Sequence, residues 1–355
     1  MKKVQNLIAV LIITILLFSV AIYPTAAKQD YEQTNLVSDI PNLAKFTDPN
    51  LVNPWGLARG PTSPWWVSDN GNGVSTLYNG NGNPFPVNNP LVVAIPPSGS
   101  SPTGVVFNGG TDFLVGQGNP ARFIFVSEDG RITAWNPNVN PTNAVVKVDK
   151  SAENAVYKGV AIANNKGINY LYVANFHQGS IDVFDTNFNK VSLGDNFKDS
   201  KIPKGFAPFN IVNINGALFV TFAKQDAQKH DDVAGPGLGF VDKFNSDGKL
   251  LMRLKNGPWM NSPWGVALSP NNFGKLSNKL LVGNFGSGQI ATFDPEKGNF
   301  NGFFKDDEGR ITIDGLWALA FGNDATAGPS NVLFFTAGIG DEKHGLFGTI
   351  SQEDS

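Results

Sequence analysis

The chain is 355 residues long, carries no cysteine and has a formal net charge of −3. A mildly acidic balance excludes the basic footprint of a nucleic-acid binder, and the missing thiols exclude a disulfide framework. With 39 glycines, 23 prolines and only 16% charged residues, the composition suits many short strands joined by turns.

The chain opens with an expected leader. Lys2 and Lys3 precede an apolar run from Leu7 to Ile22, and Pro24-Thr25-Ala26-Ala27 supplies small residues for cleavage after Ala27. A retained anchor is the alternative, because the run approaches spanning length. Residues 1–27 are read as a signal peptide and 28–355 as one secreted domain, with no stable membrane insertion after cleavage. Nothing later in the chain is apolar for long enough to span a bilayer, and all-β folds commonly reach this length as a single unit.

Past the leader, one phrase recurs. It reads Trp55-Gly56-Leu57-Ala58, Thr103-Gly104-Val105-Val106, Lys158-Gly159-Val160-Ala161, Phe209-Asn210-Ile211-Val212, Trp264-Gly265-Val266-Ala267 and Trp317-Ala318-Leu319-Ala320. The spacing is about fifty residues, the period of a four-stranded propeller blade. After each phrase comes an apolar strand, at 65–68, 123–127, 171–174, 218–222, 280–283 and 332–336. A turn rich in Gly, Asn or Asp follows, then a third strand of alternating pattern, clearest at 181–185 and 289–294. The fold class is therefore an all-β, six-bladed β-propeller with little helix. The sixth repeat stops one strand short, and residues 34–39 are expected to supply that strand and close the ring.

Strand alternation then sends the loops between second and third strands to one face, together with the entries to the first strands. Those loops hold Asp69 and Asn70, Glu128, Asn175 and His177, the long stretch 224–239, Asn284, and His344. All three histidines, His177, His230 and His344, fall there. The longest insertion is also the most polar, with Gln225, His230, Asp231 and Asp232 ahead of Gly235-Pro236-Gly237. Such a set can ligate a divalent cation through His177, His230, Asp231 and His344, or orient a ligand; it also fits a plain solvated loop. Trp55, Lys158 and Trp264 open their repeats and point toward the channel. They predict either an aromatic mouth for a flat ligand or sugar ring, or core packing between blades.

Several of these segments together resemble a known family: Asn53-Pro54-Trp55-Gly56-Leu57-Ala58, Trp66-Val67-Ser68-Asp69-Asn70-Gly71, Ala174-Asn175-Phe176-His177, the 223–237 stretch, Leu281-Val282-Gly283-Asn284-Phe285-Gly286 and Asp314-Gly315-Leu316-Trp317. This is the exported bacterial family of unknown function first noticed in genomes with the PEP-CTERM sorting system. The resemblance implies a propeller and no established reaction. The chain departs from it in lacking a C-terminal sorting tail. More distantly it is similar to NHL-repeat and lactonase-type propellers. The hard-cation ligands expected of the lactonase type are missing here, because the corresponding positions read Trp55, Thr103, Lys158, Phe209 and Trp264.

Two functions follow as expectations. One is an extracellular binding module for a small molecule, a sugar or other polymer, or a protein, with no nucleic-acid partner. The alternative is a metal-dependent hydrolase or lyase acting at the channel mouth. Whether the protein is an enzyme stays open at this point.

Overall fold

The computed structural model describes residues 31–194, 197–306 and 309–352, so the expected signal peptide lies outside the described residues. Six antiparallel sheets follow one another around a ring. The first four blades have innermost strands Pro54–Ala58, Pro102–Phe107, Tyr157–Asn165 and Phe206–Ile214. The fifth and sixth begin at Pro263–Leu268 and Leu316–Phe321. Each repeated phrase therefore marks an innermost strand. Among the described residues there is no α-helix, only two 3₁₀ turns at Ser151–Glu153 and Gly274–Leu276.

The second strands explain why the repeat was so apolar. Trp65–Asp69, Phe123–Ser127, Leu280–Asn284 and Leu333–Ala337 are buried along their whole length. Each is covered on both faces by neighbouring blades, so its sequence runs apolar instead of alternating. The glycine of the phrase has a related cause. At Gly104 a Cβ would stand 2.8 Å from the Val160 amide and 2.9 Å from the Gly159 Cα of the next blade. Innermost strands approach too closely there for a side chain. In the fourth blade Asn210 holds this position and donates to the Trp264 carbonyl at 2.8 Å, tying two blades together.

The sixth blade closes the ring. Leu316–Phe321, Leu333–Ala337 and Leu346–Gln352 are completed by Tyr31–Ser38, which runs antiparallel to Leu346–Gln352 from Tyr31↔Gln352 to Ser38↔Leu346. The closing strand starts three residues earlier than the sequence suggested. A short parallel strand, Phe46–Thr47, then covers its free edge. Tyr31 is buried against Phe273 and Phe304 of the fifth blade, and its hydroxyl donates to the Phe273 carbonyl at 2.7 Å.

Candidate functional site

The first residues of the innermost strands converge at one end of the channel, and they fill it. Trp55 stacks on Trp317 at 3.5 Å and 20°, and Trp264 meets Trp55 edge-on at 6.1 Å. Phe209 and Phe176 complete the plug, and Phe285 stacks on Trp317 at 3.9 Å. Trp55 and Trp264 are each 3% exposed. Trp55 is stacked on Trp317 and Trp264 packs edge-on to both, so they form a stopper beneath the loop face and present no stacking platform. Six innermost strands leave room for bulky rings at the axis, and apolar rings meet there in preference to water.

A chain of polar side chains lies over this stopper. Lys158 is fully buried, with its ammonium 4.9 Å from the centre of the Trp55 ring. It donates to Glu128 and, at 3.1 Å, to Asp231 Oδ1. Asp231 also contacts His230 Nδ1 at 3.0 Å. On the other side, Asn70 donates to Glu128 Oε2 at 2.9 Å and accepts from Asn53 at 3.2 Å. Asn53 in turn donates to Glu342 at 2.8 Å. The network thus runs from the sixth blade, through the first three, to the long loop of the fourth.

Its electrostatics follow from one cation among several carboxylates. Burial pushes the Lys158 ammonium toward neutrality, but Glu128 and Asp231 outweigh it and raise its pKa, so it stays charged. Burial likewise pushes the Asp231 carboxyl up, and Lys158 and His230 overcome this to hold it below the ordinary Asp range. Asp232 and Glu342 are raised, chiefly by burial. One buried oxygen of Asp232 has no hydrogen-bond partner.

Beside the network opens a cleft of about 450 Å³. Glu128, Asp129, Asn154, His177, Gln228 and His230 are among the residues that line it. The structure therefore brings His177 and His230 to one cleft. His344 stands apart, with its Nδ1 2.7 Å from Asp39 in the sixth blade. The other expected site residues hold the scaffold. Asp69 is fully buried and accepts from the amide and hydroxyl of Thr76 at 3.0 and 2.8 Å. Asn175 donates to Asp182 at 3.0 Å, Asn284 accepts from the Asn261 amide at 2.8 Å, and Gln225 donates to the Phe176 carbonyl at 2.6 Å.

Glu128, with Asn53 and Glu342, was passed over by sequence reasoning as a site candidate. It sits in a Glu-Asp-Gly hairpin turn, and its partners come from other blades. With His230 and Asp231 it forms a group whose donor atoms lie within 4.8 Å of one another, spacing that could suit a metal ion. The Lys158 ammonium already bonds both carboxylates of that group, so a hard divalent cation would meet a fixed like charge at contact range. The residues do not fit an ion well.

No family model matches the chain. Two uncharacterized proteins of Acanthamoeba polyphaga mimivirus are each 32% identical to it. The alignments span 93% of this chain and 82% and 88% of theirs. The chain belongs to their family. Among solved structures it is similar to streptogramin B lyase, with a TM-score of 0.53, 10% identity and coverage of 91% of this chain and 97% of that one. It is also similar to the soluble aldose sugar dehydrogenase of Escherichia coli, with a TM-score of 0.51, 11% identity and coverage of 90% and 99%. At such identities the likeness carries the propeller fold and no chemistry. The link to genomes with the PEP-CTERM sorting system remains an expectation from the motifs.

Proposed function

We propose that this propeller is an exported binding protein whose loop-face cleft takes a hydroxyl-rich ligand, a sugar unit or part of a glycan chain. The carrying observation is the cleft itself: acidic, amide and imidazole groups converge in a half-open space on a rigid framework. Carboxylates and amides together accept from and donate to vicinal hydroxyls. With Trp55 and Trp264 buried, recognition rests on these hydrogen bonds and not on ring stacking. Lys158 serves this reading by fixing Glu128 and the His230-Asp231 loop, so that little ordering is left for the ligand to impose.

A glycan array followed by calorimetry tests the proposal. Sugar binding that is lost in His177→Ala and in His230→Ala supports it; a protein or non-glycan partner bound at the same residues replaces the ligand class. A rise in melting temperature of the wild type with Ca²⁺, Mg²⁺, Mn²⁺ or Zn²⁺ would instead restore the metal-dependent hydrolase or lyase, since a ligand stabilises only the state that binds it. Export is tested by N-terminal sequencing of released protein. A start near Lys28 supports it, and intact residues 1–27 in the membrane fraction overturn it.

A further inference from the structure

A second cavity lies at the opposite end of the ring. Trp65–Asp69 and Phe123–Ser127 run toward the loop face, so the first residues of both strands sit at the far end, as do the last residues of Val74–Tyr78 and Arg131–Trp135. There the seam between the first two blades opens into a cavity of about 320 Å³ with apolar walls. Trp66, Leu77, Phe107, Phe123 and Trp135 are among the side chains that line it. The walls are braced by contact with one another: Trp66 stacks on Phe123 at 4.3 Å and leans on Trp135 at 4.6 Å. The Trp135 indole N–H is engaged by the Pro141 carbonyl at 3.2 Å, so it offers no donor to an occupant. Protein interiors close such spaces to near-crystalline density, and an open, aromatic-walled one of this size is of ligand-pocket dimensions.

The charged residue of the lining is Arg122, which is exposed. Every other arginine of the chain is engaged. Arg59 donates to the Phe321 carbonyl, Arg131 and Arg253 pair with aspartates, and Arg310 lies over the Phe303 ring. Among the described residues Arg122 alone has a guanidinium without an ion pair, side-chain hydrogen bond or ring contact. The cavity walls are wholly apolar, so Arg122 lines them with its carbon stem, and the free five-donor guanidinium carried on that stem can swing over the mouth to meet a carboxylate attached to a flat ring.

We propose that this seam pocket binds a small aromatic carboxylate, its ring held among Trp66, Phe107 and Phe123 and its anion paired with Arg122. The site is independent of the loop-face cleft, with which it shares no lining residue.

The test titrates the full chain with 2-naphthoate and with its neutral analogue 2-naphthamide, followed by tryptophan fluorescence and by calorimetry. Saturable 1:1 binding of naphthoate is expected, weakened roughly tenfold in Arg122→Gln, with naphthamide affinity unchanged in that variant. Leu91→Trp, which fills the pocket from its lining, should abolish binding of both compounds. If that variant does not fold, the acid-against-amide comparison in Arg122→Gln decides alone. No saturable binding of either compound overturns the proposal. So does an equal effect of Arg122→Gln on acid and amide, or a pocket that takes only a proline-rich peptide or a second copy of the chain.

Discussion

Replacing Lys158 by methionine keeps the length of the side chain and deletes its charge. Glu128, 12% exposed, then loses its ammonium partner while Asp231, Glu342 and Asp232 stay nearby. Breaking a buried pair by removing one member leaves an uncompensated charge, which costs about 3–5 kcal/mol. In the wild type the raised Lys158 pKa makes its contribution fully present below the unfolded value and lost only at strongly alkaline pH, as pH passes the folded value. In the variant the sign reverses. Glu342 and Asp232, already raised by burial, lose the ammonium that partly offsets it, so the deficit should be smaller near pH 4.5 than at pH 7.5. Adding Glu128→Gln, which retains an oxygen for Asn70, should recover most of the loss at pH 7.5. Urea denaturation at both pH values measures this. A Lys158→Met protein within about 1 kcal/mol of wild type at pH 7.5, or a double variant with no recovery, would refute the idea that one ammonium holds the loop face together.

Three further outcomes follow from the structure. Deleting residues 28–40 removes the strand Tyr31–Ser38 with its buried Tyr31, Leu36 and Val37. Denaturation should show a loss of about 5 kcal/mol or more, and light scattering should show association through the bared edge. Trp55→Ala empties the centre of the stopper and should cost about 3–5 kcal/mol, read in the same way. Asp242 is buried beside Arg253, and burial, aided by Asp199, pushes its pKa up to about 7. Its contribution is therefore full below the unfolded value near pH 4 and is lost as pH rises through 7. Relative to Asp242→Asn, the wild type should lose roughly 1.4 kcal/mol per pH unit across that window, a trend that calorimetry at pH 4, 6 and 8 would show.

The architecture was legible because a propeller writes its own period. Six copies of one phrase mark six innermost strands, and the missing outer strand in the last repeat pointed to residues 34–39, close to the strand Tyr31–Ser38 that fills the gap. The Phe46–Thr47 edge strand left no trace, since two residues carry no period. The site was legible in part. Loop position brought out His177, His230 and Asp231, but not the partnership of Lys158 with Glu128, which joins two blades across 30 positions of chain. Nor does residue type reveal that Trp55 spends a face on Trp317 while Trp264 packs edge-on to both: an axial tryptophan reads the same whether it greets a ligand or seals a channel. His344 followed the rule for its loop and yet turned to Asp39, because that closing segment lies against its own blade.

Ring closure also fixes an order in time. Residues 31–38 are made long before their partner, Leu346–Gln352. Until Leu346–Gln352 has been made the early strand has no mate and the circle stays an open arc. A contact so distant in sequence is slow to find and exposes unpaired edge while it waits. The same feature gives the finished molecule its resistance to unravelling: a pull on either end of the described chain loads the one blade where both ends are woven together. Neither end can peel away without undoing the seam.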